Sequence, residues 1–158
     1  MIIQTEHDTR IAERIGFCRL EHRAYEHWLK MLTPANVLLA GIGGVLSLVA
    51  GLSIVTDATL IGPKAAGWIA IVGAVLTGLH NGLRCDPHQA ECRRLANQFE
   101  GLQTEYERLQ LEADERARGE QLLGLEQKLA TIVGGRGARP SASSVARAKR
   151  EMEGNARP

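Results

Sequence analysis

The chain has 158 residues, a formal net charge of +1, 23% charged residues and 4% aromatic residues. The small net charge excludes a nucleic-acid binder driven by a basic excess, and three cysteines without a CxxC pair exclude a disulfide scaffold. Charge is unevenly distributed, because every Asp, Glu, Lys and Arg lies outside two windows, 31–56 and 65–83. The sequence therefore combines charged segments with two segments that carry no charge.

The first segment, residues 1–33, has a helical stripe of mostly apolar residues at alternating spacings of four and three. The stripe consists of Ile11, Ile15, Cys18, His22, Tyr25, Leu29 and Leu32. This spacing predicts an amphipathic cytoplasmic helix that packs on a partner helix, with a helix lying flat on lipid as the alternative. Thr33 and Pro34 then predict a helix cap and the start of a new helix.

The two uncharged windows predict a pair of membrane-spanning helices. The run 37–56 has 20 residues, which is about 30 Å of helix and matches the hydrocarbon layer of a bilayer. The run 65–83 has 19 residues and carries Trp68 near its outer end, where an indole suits the headgroup boundary. Because only a short turn joins the two runs, residues 34–84 are predicted to form an antiparallel transmembrane hairpin.

The distribution of basic residues predicts which side of the membrane holds the termini. Lys64 lies alone in the turn, whereas six basic residues flank the spans on the other side: Arg19, Arg23, Lys30, Arg84, Arg93 and Arg94. Cytoplasmic segments carry the excess of Lys and Arg. We therefore expect both termini in the cytoplasm and the protein in the bacterial inner membrane.

A long cytoplasmic helix is predicted over 86–133. Asp86 is a predicted cap for a helix that starts at Pro87, with Gln89 completing a capping box. A seam then repeats at three and four residues, through Leu95, Phe99, Leu102, Tyr106, Leu109 and Ala113, and resumes at Leu125, Leu129 and Ile132. Residues 134–158 are small, polar and basic, and are predicted to be a flexible tail or one weak helix near Val145–Met152.

Small residues recur along both predicted spans and predict close helix packing. Those assigned to packing between subunits are Gly43, Ser47, Gly51, Ala70, Ala74 and Gly78. Packing within one hairpin is the alternative, but a stripe on each span together with the cytoplasmic seams favours a homo-oligomer. The predicted fold class is an all-α membrane protein: a two-helix hairpin flanked by cytoplasmic amphipathic helices, in a helical oligomer.

Polar residues near the cytoplasmic end of the second span form a candidate pore mouth. Thr77, His80 and Asn81 share one arc of the helix with Arg84, so in an oligomer they are candidates for lining a pore or gate. The alternative is that these groups simply lie among the lipid headgroups.

Enzymatic and metal chemistry find little support in the sequence. The stretch Gly41–Gly44 lacks the third glycine and the acidic residue of a dinucleotide loop, and there is no P-loop, HExxH or GxSxG motif. A possible zinc spacing, formed by His80, Cys85, His88 and Cys92, is interrupted by the Asp86-Pro87 break. We expect no catalytic residues, no metal and no cofactor.

The order of these elements resembles the SLATT family, two-helix membrane effectors associated with nucleotide-generating or nucleotide-sensing genes in bacterial defence. The resemblance covers about residues 8–130, and its most specific part is the exit from the second span. This part comprises His80-Asn81-Gly82-Leu83-Arg84, His88, Ala96, Leu102 and Tyr106. The resemblance implies a pore whose opening depolarises the membrane and arrests an infected cell.

The resemblance also implies a nucleotide signal made by a partner nucleotidyltransferase. Arg84, Arg93 and Arg94, repeated around an oligomer, would form a positive ring able to bind a cyclic or linear oligonucleotide. Ordinary positive-inside arginines are the alternative. A tetramer would suit a compact two-span channel. The competing functions are a membrane-anchored coiled-coil scaffold, a holin-like permeabiliser and a soluble helical domain.

Overall fold

The computed structural model describes residues 2–55, 62–82 and 85–155, without the side chains of 2–5, 35–36, 39–40, 54–55, 63, 80, 82 and 85. In these ranges the chain forms five helices and no strand, so the predicted all-α class is confirmed. The helices are α1 (Ile2–Val55), α2 (Pro63–Gly82), α3 (Cys85–Gln110), α4 (Glu115–Gly134) and α5 (Ala142–Asn155).

The helices divide into two compact units. One unit, which we call the bundle, contains Met1–Leu29 and Ala90–Pro158; the other, which we call the hairpin unit, contains Lys30–Gln89. The hairpin unit is close to the predicted hairpin segment 34–84. The bundle joins the first segment of the chain to the last, so its core is assembled from residues that are far apart in sequence.

The helix break predicted at Thr33-Pro34 is wrong, because α1 is continuous through Pro34. Proline in a helix interior removes one backbone hydrogen bond and its ring crowds the preceding turn, which normally kinks or breaks the helix, yet α1 continues through it. Thr33 was predicted to cap a new helix, but it lies inside α1, and its hydroxyl accepts a hydrogen bond from the side-chain amide of Gln89 at 2.8 Å. The two predicted capping residues therefore bond to each other, and α3 already begins at Cys85, one residue before Asp86.

Four of the seven residues of the predicted apolar stripe and most of the seam form the core of the bundle. Ile11, Ile15, Cys18 and Tyr25 of α1 are buried, as are five seam residues of α3: Leu95, Phe99, Leu102, Tyr106 and Leu109. Phe99 lies at the centre of the aromatic contacts, edge-on to Phe17 at 6.2 Å and stacked on Tyr25 at 6.0 Å between ring centroids. Large side chains that interdigitate in this way supply most of the apolar burial in the bundle.

The single long helix predicted over 86–133 is wrong, because a turn at 111–114 divides it into α3 and α4. The backbone amides of Leu111 and Glu112 bond three residues back, and the Asp114 side chain caps α4 by accepting from the amide of Arg116. Ala113, predicted in the seam, therefore lies in the turn, while Leu122, Leu125 and Leu129 are buried from α4. The N-cap at Asp114 therefore starts a new helix, even though the three- and four-residue spacing of apolar residues continues past it.

The tail predicted to be flexible is folded over its described part. Helix α5 spans Ala142–Asn155, longer than the weak helix considered near Val145–Met152, and buries Ser144 and Ala148. These two residues are four apart and so lie on one helical face. The low hydrophobicity of the segment predicted disorder, but small side chains allow α5 to pack closely without a large apolar face.

In the described part of the chain, no helix has a segment both long and apolar enough to cross a membrane.

Candidate functional site

The hairpin unit is built on a close contact between the backbones of α1 and α2. A Cβ atom on Gly73 would lie 2.7 Å from the Ser47 hydroxyl and 3.1 Å from the carbonyl oxygen of Gly43. On the opposite helix, a Cβ atom on Gly43 would lie 2.8 Å from the Thr77 hydroxyl and 3.3 Å from the carbonyl oxygen of Gly73. Neither position has room for a side chain without a movement of backbone, so both glycines are required by the close approach.

The residues predicted to pack between subunits divide into two groups. Gly43 and Ser47 pack inside the hairpin, which is the alternative that the small-residue stripes left open. Gly51 and Gly78 lie in open space, since an added Cβ atom would meet nothing within 4 Å, and Ala74 is exposed while Ala70 is half-buried. This second group leaves a surface of small residues that is available for contact with another molecule.

Sequence reasoning missed Gly73, although a signal for it existed. Gly73 and Thr77 are four residues apart, as are Gly43 and Ser47 on the facing helix. The longer run of small residues from Ala66 to Gly82 starts on the same buried face and winds around α2, so that Ala74 and Gly78 are exposed, and it drew the prediction away from this shorter pair. The structure places the shorter pair at the contact.

The outer surface of the hairpin unit is strongly apolar. Trp68 is 69% exposed, and large aliphatic side chains of both helices are exposed with it. On α1 these are Val37, Leu38, Ile42, Val45, Leu48, Val49 and Leu52; on α2 they are Ile71, Val72, Val75 and Leu79. Water-soluble monomers rarely expose so many neighbouring large apolar side chains.

The predicted pore residues occupy different environments. Thr77 packs against Gly43 and its hydroxyl donates to the carbonyl oxygen of Gly73 at 2.9 Å. Asn81 is exposed, and the side chain of His80 lies outside the described side chains. Thr77 therefore contributes to the contact within the hairpin while remaining exposed at its edge, and Asn81 is exposed as well.

The three arginines predicted to bind a nucleotide also differ. Arg94 makes a two-point ion pair with Glu91, with hydrogen bonds of 2.8 and 2.7 Å, and this pairing lowers the pKa of the Glu91 carboxyl. Arg93 is exposed on the same helix, and Arg84 lies outside the described residues. Because Glu91 partly neutralises Arg94, Arg93 is the one of the two described arginines whose charge is more available to a ligand.

The segment between α4 and α5 is fastened to α1 and α3 by polar contacts that the sequence did not predict. The Arg136 guanidinium is 3.2 Å from the Glu21 carboxylate, with side chains only 14% and 17% exposed, and it lies 5.3 Å over the Phe99 ring. The hydroxyl of Tyr25 donates to the carbonyl oxygen of Ala138 at 2.9 Å. Residues more than 110 positions apart meet here, and no local pattern identifies such partners.

This fastening leaves two buried polar atoms of the described part without a partner, Glu21 Oε2 and Arg136 Nε. Buried polar groups are normally hydrogen-bonded, and an unpartnered atom of a charged group lowers the stability of the folded state. The bundle is therefore sensitive to changes in the Glu21–Arg136 pair, because removal of either residue would leave the charge of the other buried without a partner.

A second ion pair joins α1 to α4. Arg14 donates two hydrogen bonds to Glu126, at 2.7 and 2.9 Å, and the Tyr106 hydroxyl donates to the same carboxylate at 3.3 Å. A bidentate guanidinium–carboxylate pair fixes both partners more strongly than a single contact. At the N-terminal part of α1, Asp8 pairs similarly with Arg118 of α4 at 2.9 Å.

An open groove of about 580 Å³ runs between α3 and α4. Its walls include Gly101 and Gly124, which provide open space, and the Glu105–Lys128 ion pair at 2.8 Å. Gln98 also lines the groove, and its buried Oε1 has no partner among the described residues. The groove combines an apolar floor with polar walls.

The buried thiols are held in the neutral form. Burial raises the pKa of Cys18 and Cys92 to about 11, and burial also raises the pKa of the Tyr25 hydroxyl to about 12. A neutral thiol is a poor nucleophile and a poor metal ligand. Of the weak zinc spacing, Cys92 is buried in the bundle and His88 is half-buried, while the side chains of His80 and Cys85 lie outside the described ones.

Comparisons with family models, with curated proteins and with solved structures find no match to this chain.

Proposed function

We propose that this protein is a pore-forming membrane effector of a bacterial antiphage or conflict system. Its hairpin unit would insert in the inner membrane, with both termini in the cytoplasm, and assemble as a homo-oligomeric ion channel, with a tetramer the simplest form. Its opening would depolarise the cell and arrest growth. The resemblance to SLATT effectors and the physical character of the hairpin unit support this proposal.

The observation that carries the proposal is the reversed distribution of side chains in the hairpin unit. Small residues, including Gly43, Ser47 and Gly73, occupy the contact, whereas large aliphatic residues and Trp68 point outward. Each large apolar side chain left in water forgoes about 1.5–3 kcal/mol of burial. Lipid removes that cost for the whole surface at once, and close packing of small residues is typical of helices in lipid.

The complete sequence of the two windows supports the same environment. Residues 31–56 and 65–83 contain no Asp, Glu, Lys or Arg, and the spans within them match the thickness of a bilayer. The turn between them carries only Lys64 as a basic residue. This supports a hairpin that enters and leaves from the cytoplasmic side.

The open small-residue surface supports assembly between copies. Gly51 and Gly78 have space around them, and the exposed Ala74 lies on the same helix as Gly78. Such positions let backbones of neighbouring subunits approach closely. In the assembled channel, Asn81 is a candidate for the pore mouth, with Thr77 and His80 nearby in sequence.

Control by a nucleotide is the second part of the proposal. Arg93, with Arg84 and Arg94, would form a ring of positive charge when repeated around the oligomer, and an anionic oligonucleotide made by a nucleotidyltransferase would bind there. Such a ligand changes the open fraction only by its different affinity for the two states. Replacement of Arg93 and Arg94 by Glu should therefore abolish the effect of the nucleotide, while basal conductance stays.

The decisive experiment is conductance of the purified full chain in planar bilayers, with and without cyclic and linear oligonucleotides. Membrane fractionation of cells comes first, because a chain that stays in the supernatant without detergent contradicts insertion. Discrete currents support the channel, and a silent bilayer containing inserted protein contradicts it.

Oligomerisation is tested by Gly78→Leu, with Gly67→Leu as the matched control. Both glycines belong to α2 and have open space around them, but only Gly78 belongs to the predicted packing stripe. We expect Gly78→Leu to reduce cross-linking between copies and Gly67→Leu to leave it unchanged. Equal cross-linking in both variants would contradict packing through this stripe.

The α3–α4 groove favours a second candidate function, a membrane-anchored scaffold that recruits a partner protein. The groove, with Gln98 Oε1 unpartnered among the described residues, has the mixed lining of a peptide-binding surface. This function predicts an impermeant membrane and a protein that co-purifies with the bundle. Substitution of Gly124 by Leu would then abolish recruitment without affecting conductance.

A further inference from the structure

Helix α5 and α1 together line an open surface cavity of about 640 Å³ that the sequence did not indicate. The cavity is lined by His27 of α1 and by Arg147, Arg150 and Glu151 of α5. It lies at a fixed junction, because Ser144 and Ala148, on the adjoining face of α5, are buried against the bundle. We call it the α5 cavity.

The charges around the α5 cavity are unbalanced. Several arginines of the bundle have acidic partners, as in the pairs of Arg14 with Glu126 and Arg118 with Asp8, and others are solvent-exposed. Among the described residues, neither Arg147 nor Arg150 lies within ion-pair distance of an acid. Within the described part of the chain, Arg150 Nε donates a long hydrogen bond to the carbonyl oxygen of Ala146, at 3.4 Å.

The acidic residue of the cavity already has a partner. Glu151 accepts a hydrogen bond from His27 Nε2 at 2.8 Å, and the His27 side chain is only 12% exposed. Since an ionised carboxylate can only accept, the ring nitrogen is the donor in this contact. Glu151 thus fixes the His27 ring beside the two arginines, while its own charge offsets part of theirs.

We propose that the α5 cavity binds a phosphate-bearing group through Arg147 and Arg150. Guanidinium groups match the geometry of phosphate oxygens and bind them with paired hydrogen bonds. Two arginines from one helix, one turn apart, converge on an anion that rests against the His27–Glu151 pair. This site is separate from the arginines 84, 93 and 94 considered above.

Two sources could supply the phosphate, a lipid headgroup or a free phosphate compound. His27 is four residues before the uncharged window 31–56, and four residues span at most about 15 Å. A headgroup would therefore be within reach of the cavity if that window is inserted in a bilayer, and this part of the inference rests on the proposed function. A soluble phosphate compound needs no membrane.

Binding would strengthen the attachment of α5, because the ligand contacts a cavity formed by α1 and α5 together. Any ligand that binds only the docked form stabilises that form by mass action. Hydrogen exchange at the α5 amides should therefore slow when the cavity is filled, whereas a ligand bound elsewhere would leave those amides unchanged.

The test uses the full chain in neutral detergent micelles, with Arg147→Gln/Arg150→Gln as the variant. The control, Arg10→Gln/Arg116→Gln, removes the same charge from exposed positions outside the cavity. In one arm inorganic tripolyphosphate is titrated by calorimetry. In the other, phosphatidylglycerol is added to the micelles and exchange at α5 is measured.

We expect the variant to weaken the affinity for the responding probe about tenfold or more, which is the scale of losing charge-assisted hydrogen bonds, and the control to stay within about twofold. A response to tripolyphosphate alone identifies a free phosphate compound, and a response to phosphatidylglycerol alone identifies a headgroup. No response to either probe, or equal weakening in the control, overturns the proposal. Because the calorimetric arm needs neither insertion nor conductance, its outcome is independent of the channel.

Discussion

The helices of the bundle and those of the hairpin unit pack through opposite kinds of side chain. The bundle buries its largest side chains, among them Tyr25, Phe99 and Tyr106, and places charged residues outside. The hairpin unit brings Gly43 and Gly73 into contact and places leucine, valine and tryptophan outside. One chain therefore contains two kinds of helix packing, one around large apolar and aromatic side chains and one around glycines with large apolar side chains left exposed.

The largest effect is expected from Arg136→Met in the bundle. This change leaves the Glu21 carboxylate, 17% exposed and already unpartnered at Oε2, without its cation. Breaking a buried pair from one side costs about 3 kcal/mol or more. Thermal unfolding of the full chain should show the loss, with faster hydrogen exchange in α5.

The double variant Glu21→Gln/Arg136→Met tests the cause. Without the unpaired charge, it should recover much of the stability lost by Arg136→Met alone. Arg116→Met, at an exposed ion pair, serves as the control and should change little. A double variant as unstable as the single one would show that the Arg136 contact with Phe99, and not the charge pair, stabilises the segment.

A slightly smaller effect is expected from Gly73→Ala in the hairpin unit. The added methyl group must displace backbone of α1, so we expect a loss of about 2 kcal/mol even though alanine favours helices. Gly67→Ala on the same helix meets nothing within 4 Å and should be neutral or stabilising by about 0.5–1 kcal/mol. Unfolding in detergent micelles compares the two, and equal stability would contradict the glycine contact.

Alkaline pH should weaken the bundle and not the contact within the hairpin. The buried thiols of Cys18 and Cys92 have a pKa of about 11, raised from 9.0, so the unfolded chain loses these protons first as pH rises. Stability is therefore complete below about pH 9 and falls up to about pH 11, by on the order of 1–2 kcal/mol for each thiol.

The variant Cys18→Ala/Cys92→Ala should flatten this dependence, while Tyr25, whose pKa is about 12, preserves a later decline. Unfolding temperatures between pH 8 and 11 measure both. An unchanged pH profile in the variant would assign the decline to other groups.

The smallest effect should distinguish exposed from partly buried ion pairs within the bundle. Arg14→Gln removes a bidentate contact with Glu126 and should cost about 1 kcal/mol, whereas Arg116→Gln, paired with Glu120 at 3.7 Å on the surface, should cost less than about 0.5 kcal/mol. Chemical unfolding resolves the difference. Equal losses of stability in the two variants would mean that the hydrogen bond from Tyr106 is enough to stabilise the Glu126 carboxylate.

Periodicity in the sequence predicted the parts of the fold that depend on helical faces. Ile11, Cys18 and Tyr25 on α1, and Leu95 through Leu109 on α3, are buried as their spacing requires. The turn at 111–114 was not predicted, because the apolar spacing continues on both sides of it and a single aspartate such as Asp114 does not by itself reveal a helix cap. Helix α5 was predicted only as a weak and shorter helix, the alternative to a flexible tail, because its packing face consists of Ser144 and Ala148, which have little hydrophobicity.

The candidate sites were less predictable, because they depend on pairs distant in sequence. Gly43 and Ser47 were correctly predicted to pack closely against another helix. Which residues of α2 face them depends on how the two helices cross, and residue spacing alone does not give this crossing. The partners of Arg136 and His27 lie 115 and 124 positions away. Arg94 was predicted to be available for a ligand, yet its near neighbour Glu91 binds it, a local pairing that the three-residue spacing could have indicated.

The bundle, which joins both ends of the described chain, sets an order of events during synthesis. Ile11, Cys18 and Tyr25 leave the ribosome early, but their partners Leu95, Phe99 and Ala138 follow about 80 to 110 residues later. At typical elongation rates of about 5–20 residues per second, the early segment waits several seconds with its apolar stripe uncovered. Both uncharged windows are made during that interval, so the sequence of the whole hairpin unit is synthesised before the bundle can close.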